Sequence, residues 1–203
     1  MSAVLITLLL TFASLAGWDT DSPETLSYPL ERFLPDQPGY TWSYWGFAEY
    51  GHRVQLDGMT RLEEWTVFQI SGAVEDMSAG ESSGDFTINL KYIVSENSLS
   101  MVQRASYAMD GDFPEMELLR EPVEAGRTWT QTVRNRHGEE IELVCEIEEI
   151  EGNQVTVRYS STDSPFYQLR VFEEGIGVVT FEKLFLSPDG NFEIGYTLFR
   201  GDY

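Results

Sequence analysis

Two stretches of this chain carry the same phrase, and that recurrence constrains the fold more than any other feature. Tyr28-Pro29-Leu30, followed by Pro38-Gly39-Tyr40-Thr41-Trp42, is echoed by Pro122-Val123-Glu124-Ala125-Gly126-Arg127-Thr128-Trp129. Each holds a proline, a short apolar lead and then Gly-x-Thr-Trp at what reads as the opening of a strand. Gly51-His52 follows the first and His137-Gly138 the second, each placed in a hairpin turn. The expected organisation is one β domain over residues 28–203, made of two similar halves, 28–113 and 119–203.

Between those phrases apolar residues recur with a period of two, the spacing of a half-buried strand. Phe86, Ile88, Leu90, Tyr92 and Val94 share one face. Ile141, Leu143, Cys145 and Ile147 alternate with Glu142, Glu146 and Glu148, and Val155, Val157 and Tyr159 return on the core side. Arg158, on the solvent side, is placed to pair with one of those glutamates across the strands. Phe192, Ile194, Tyr196 and Leu198 alternate on the last strand. Turn chemistry separates the runs at Asp57-Gly58, Glu96-Asn97, Gly152-Asn153 and Ser187-Pro188-Asp189-Gly190. Pro29, Pro35 and Pro38 keep Tyr28–Gly39 from forming a long helix or a central strand, so it reads as an extended lead-in with room for one turn. Pro114 to Leu119 reads as a connector of one helical turn at most. About ten or eleven strands follow, with no helical period beyond the N-terminus. The expected fold class is all-β: an antiparallel sheet, barrel or half-barrel built from two similar halves, after an N-terminal signal-like helix.

The N-terminus sets the compartment. Residues 1–17 carry no charged side chain, Val4 to Leu10 is almost purely apolar, and Ala13, Ser14, Ala16 and Gly17 are small. That is a signal-like core followed by a cleavage region, without the usual basic leader. The run falls short of the roughly 20 residues that span a bilayer comfortably. Ser14-Leu15-Ala16 satisfies a small-x-small cleavage rule, so one reading is a soluble product starting near Gly17 and the other an uncleaved helical anchor or a buried N-terminal segment. Residues 18–27 read as a polar tether. Export to the cell envelope or the extracellular space is the expectation.

Composition narrows the partners. Among 203 residues there are 34 acidic side chains against 13 Lys and Arg, a formal net charge of −21. Such a surface repels phosphate backbones and anionic headgroups, which argues against nucleic acid and confines membrane contact to the N-terminal segment. The single cysteine, Cys145, excludes an internal disulfide.

Leu15-Ala16-Gly17-Trp18 resembles the lipobox of bacterial lipoproteins, Leu-Ala-Gly-Cys, with tryptophan in the last place. A thiol takes the diacylglycerol there and an indole cannot, so the match departs from the pattern at the residue that carries its chemistry. The two Pro-to-Trp phrases, with Gly175-Ile176-Gly177-Val178-Val179-Thr180-Phe181-Glu182 closing the second half, resemble a group of uncharacterised bacterial lipoproteins. Their exported β domains open each half with such a phrase and close with Gly-x-Gly-x-Val. The resemblance spans residues 28 to 185 and implies an exported β domain with no established activity.

Motifs for chemistry are sparse. Gly80-Glu81-Ser82-Ser83-Gly84 has the spacing of a nucleophile elbow, but a strand follows it where that motif needs a helix. His52 and His137 read as exposed turn residues without further ligands to hold a metal. Cys145, between Leu143 and Ile147, reads as a small core residue. Asp110-Gly111-Asp112 and Asp19-Thr20-Asp21 lack the spacing of a calcium loop. No catalytic residue, metal ligand or cofactor is assigned, and the chain is expected not to be an enzyme. The aromatic stretch from Tyr40 to Tyr50 is the one binding candidate, with Tyr40, Trp42, Tyr44 and Trp129 as its ligand-facing residues. The leading expectation is an exported envelope protein binding an apolar small molecule or lipid. The alternative is a structural or protein-interaction module acting on an envelope protein; a hydrolase stands third.

Overall fold

A computed structural model describes residues 28–200 apart from 77–79 and 82. The signal-like segment, the tether and Trp18 lie outside the described residues, as does Ser82 of the elbow-like motif. The described residues form twelve strands. The first six are β1 (Thr41–Gly46), β2 (Gly51–Arg61), β3 (Thr66–Val74), β4 (Thr87–Val94), β5 (Ser98–Arg104) and β6 (Glu115–Arg120). The second six are β7 (Thr128–Arg134), β8 (Glu140–Glu151), β9 (Gln154–Ser161), β10 (Tyr167–Glu173), β11 (Gly177–Phe185) and β12 (Phe192–Leu198). Each set is an antiparallel meander, the topology that hairpin turns impose. The two meanders join where β1 pairs with β12, and β6 and β7 end the hydrogen-bonded order, so the sheet curls into a nearly closed barrel.

The period-two pattern places one face of every strand inside. Trp42, Tyr44, Leu56, Phe68, Ile88, Val157 and Phe181 are among the buried residues. The β1–β12 junction is tight because both strands carry glycine there. A Cβ on Gly46 would sit 2.2 Å from the Gly195 carbonyl oxygen; on the other side of β12, one on Gly195 would sit 2.2 Å from the Phe181 carbonyl oxygen of β11.

The other seam has no backbone ladder. Gln131 of β7 stands in for one: its carboxamide accepts from the Glu117 N–H and donates to the Glu117 carbonyl, both at 2.8 Å. The side chain thus completes a strand residue as a peptide unit would. Gln131→Ala is expected to cost about 1–2 kcal/mol, since two backbone groups lose their partner at a half-buried site. Urea unfolding would measure it, and amide exchange at Glu117 should accelerate with it. Unchanged exchange at Glu117 would refute this account of the seam.

Both barrel ends are covered. At one, a 3-10 turn over Pro29–Phe33 buries Leu30 and Phe33, with Phe33 edge-on to Phe172 at 6.5 Å. Glu31 ties this turn to Arg61 at 3.0 Å and Thr66 at 2.5 Å. At the other, residues 105–114 fold into the mouth between β5 and β6. Arg136, from the β7–β8 turn, donates to the Ala105, Ser106 and Gly111 carbonyls of that segment.

Several expectations are corrected. Twelve strands replace ten or eleven, because Pro114–Leu119 is not a connector: its Met116, Leu118 and Leu119 are buried in β6. Asp57-Gly58 is a β-bulge inside β2, where the register shifts between Leu56 and Gly58, and the chain reverses only at Leu62–Trp65. Gly51-His52 is not a turn. The reversal comes earlier, at Phe47–Glu49, where Ala48 and Glu49 hold positive φ of 52° and 62° without a glycine to signal it.

Candidate functional site

Inside the barrel lies a polar network built around residues 105–114. Asp110 accepts from Arg170 of β10 at 3.2 Å, Tyr196 of β12 at 2.8 Å and Gln103 of β5 at 3.2 Å. Arg170 also donates to Gln168 at 3.3 Å, and its guanidinium lies 4.7 Å from the Phe181 ring centroid. Asp112 accepts from Gln168 at 3.0 Å and from Lys183 of β11 at 2.8 and 2.9 Å. The acidic segment is therefore held by the two cations that β10 and β11 turn inward.

His52 belongs to this interior and is buried, against the expectation of an exposed turn residue. It stacks on Tyr44 at 4.5 Å and meets the Tyr196 ring edge-on at 4.8 Å. Burial drives its pKa down to about 4, although the charge of Asp110 opposes the shift. Burial works against ionisation of Asp110, yet Arg170, His52 and the Tyr196 and Gln103 hydrogen bonds hold its carboxyl below the ordinary value. Burial also raises Tyr44 and Tyr196 far above an ordinary phenol. Cys145 is buried and its thiol is pushed up to about 11 by burial, with Gln131 donating to the sulfur at 3.2 Å. His137, on the β7–β8 turn, is exposed. Among the described residues no three His, Cys, Asp or Glu side chains gather as a metal site would need.

Tyr40, Trp42 and Tyr44 lie together, while Trp129 stands on the far wall beside the β6–β7 seam. Trp42 donates to the Ile176 carbonyl at 2.6 Å and Tyr44 to that of Val178 at 2.7 Å, so both are tied into the core. Tyr40 is half-buried, edge-on to Trp42 at 5.0 Å, and lines an open groove of about 800 Å³ beside the 3-10 turn. The interior cavity next to Trp42, Tyr44 and His52 measures about 20 Å³, room for roughly one water molecule. Trp129 has the Arg120 guanidinium 5.9 Å from its ring.

The end covered by residues 105–114 carries the exposed aromatics. Phe47, Phe185 and Phe192 are 50%, 43% and 42% exposed and touch in a row, with ring centroids 5.7 and 5.2 Å apart. Leu186, next in the chain, borders a groove of about 250 Å³ whose other walls include Phe113, Phe166 and Ile141. Glu49, Glu139, Asp163 and Asp189 are exposed on the turns here, and Glu193 at the start of β12. The nearby cations are engaged: Arg134 by Glu140, Arg136 by backbone carbonyls and Lys183 by Asp112. Phe47 falls in the aromatic stretch that the sequence singles out, but Phe185 and Phe192, far along the chain at strand ends, were not among the candidate residues. Gln168 and Arg170 offered a signal, as polar residues two apart on the side of β10 that also carries Phe172.

No family model matches the chain, and no curated protein matches it by sequence. Two solved structures resemble it in shape. One, from Parabacteroides distasonis ATCC 8503, is assigned as a lipoprotein by inference; it is 12% identical, with a TM-score of 0.46 over 82% of this chain and 96% of that one. The other, from Bacteroides fragilis NCTC 9343, is assigned to export by inference and described as having a YmcC-like fold. It is 15% identical, with a TM-score of 0.52 over 82% of this chain and 96% of that one. The twelve-stranded barrel is thus similar to a YmcC-like fold.

Proposed function

We propose that this chain is an exported, non-enzymatic protein of the cell envelope that acts as an interaction module, docking a partner on the barrel end that carries Phe47, Phe185 and Phe192. The contrast between a filled interior and an exposed aromatic end carries this reading. A cavity of about 20 Å³ cannot take a lipid, so an apolar ligand would have only open grooves to bind in. The three rings form a contiguous apolar surface of the kind that marks an interaction site. Ala48 and Glu49, which hold Phe47 in place, sit in the left-handed region. Each such residue costs of order 1 kcal/mol or more, and such strain concentrates at functional sites. Export is supported by the signal-like residues 1–17, by the lipoprotein-like phrases and by the fold shared with a protein assigned to export. The non-enzymatic reading is supported by the burial of His52 and Cys145 away from solvent.

The test places a photo-crosslinking amino acid at position 192 and, as a control, at position 151 on the opposite end, in the chain's own cells. The expected result is recovery in the envelope fraction, with one partner adduct at position 192 that Phe47→Ser removes. Cytoplasmic recovery, or equal adducts from both positions, would sink the proposal. Native mass spectrometry of the same material would favour the carrier reading if an apolar small molecule travelled with the chain.

A further inference from the structure

We infer that the groove beside the aromatic row is an anchor pocket, which takes one large apolar side chain from a basic peptide segment of the partner. This rests on the interaction-module reading and specifies what that partner presents. The groove measures about 250 Å³, enough for a single aromatic side chain and too little for a folded element. Its floor is rigid before anything binds. Phe113 is 1% exposed and meets Phe166 edge-on, with centroids 5.7 Å apart and planes at 90°. The segment holding Phe113 is clamped by Arg136 on its carbonyls and by the Asp112–Lys183 pair. A fixed apolar floor of this kind spares the ordering cost that weakens adaptable sites. Leu186 is 42% exposed and forms an unburied wall, and Ser161 and Ser164 stand at the rim. A central apolar pocket with a polar rim is the arrangement of an interface hot spot.

Charge selects the flanks of the anchor. Glu139, Asp163 and Asp189 are exposed on the turns around the groove; they outnumber Arg136, which lines it while bonded to backbone carbonyls, and Lys183 is neutralised by Asp112. The local field is negative, so basic residues beside the anchor are attracted and acidic ones repelled. An anionic lipid surface is disfavoured for the same reason. So is a second copy of this chain, which brings a formal charge of −21.

The test measures binding of labelled peptides to the purified full chain. The probes are Lys-Lys-Trp-Lys-Lys, the same peptide with alanine in place of tryptophan, and Glu-Glu-Trp-Glu-Glu. The tryptophan peptide should bind at least ten-fold more tightly than either of the others, and added salt should weaken it. Ser164→Trp, which fills the groove from its rim, should bring it down to the alanine level. Leu186→Lys, at an exposed position, should do the same without touching the core. Equal binding of the tryptophan and alanine peptides would overturn the anchor. So would retained binding in both variants. N-acetyltryptophanamide binding as tightly as the peptide would reassign the groove to a free aromatic molecule and overturn the peptide partner. The peptide result does not depend on where the cell sends the chain. Cytoplasmic recovery would sink the export reading and leave the groove standing, while failed peptide binding with envelope recovery would remove the groove alone.

Discussion

Arg170→Met should lower the unfolding free energy by about 3–5 kcal/mol, the range for stranding one charge of a buried pair. Arg170 is fully buried, and Asp110 is at the centre of the interior network. Methionine is apolar, unbranched and able to fill much of the space, so lost packing is a minor part of the effect. What remains is a buried carboxylate supported only by Tyr196 and Gln103. Asp110→Asn combined with Arg170→Met should cost less than the two single changes added together, because the double variant leaves no unpaired charge. Urea unfolding of the four chains gives the coupling directly. A loss below about 1 kcal/mol for Arg170→Met, the range of an exposed pair, would show that the interior is wetter than the geometry implies.

The second large effect is acid sensitivity centred on His52. Its folded pKa, about 4, lies below the ordinary histidine value of 6.5. The unfolded chain therefore takes up a proton that the folded chain refuses. Stability is complete above pH 6.5 and falls as the pH drops toward 4, where the loss levels off. The gap between those two values sets a ceiling of about 3 kcal/mol on the loss. Asp110 adds loss in the same direction at lower pH. Its folded pKa lies below the ordinary value, so the stabilisation it provides disappears once the carboxyl is protonated. The thermal midpoint should fall steadily between pH 6.5 and 4, and His52→Phe should flatten that part of the profile. An unchanged slope in His52→Phe would show that another group carries it. In the proposed role the chain would meet external pH directly, so this sensitivity bears on it.

The strands were legible because their signal is local. Ile141 to Ile147 alternates with glutamates, and it forms β8 with Leu143, Cys145 and Ile147 inside. Gly152-Asn153 supplies its own turn chemistry, and Arg158 reaches Glu148 across that hairpin. Each of these depends on neighbours close in sequence. The misread features look local but are decided by distant partners. His52 sits where a turn residue was expected; Tyr196 and Asp110, drawn in from distant parts of the chain, join its hairpin partner Tyr44 in making it a core residue. Asp57-Gly58 has hairpin chemistry, yet its pairing with β3 continues past the bulge to Arg61.

The same division explains the candidate sites. Aromatic density around Tyr40 to Tyr50 is visible in one dimension, but it does not show which rings face the core and which face solvent. Trp42 and Tyr44 went inward, while Phe47, the first residue of the turn that redirects the chain, stayed out and met Phe192. The amino-acid pattern alone was enough to specify all-β class, the antiparallel hairpins and the surface charge, because alternation, turn residues and composition act over a few positions. The β1–β12 closure, the Gln131 bridge at the open seam, the Asp110–Arg170 pair and the anchor groove came only from the folded barrel. Each joins residues whose proximity depends on how the whole sheet curves, and a single chain records no trace of that in its local spacing.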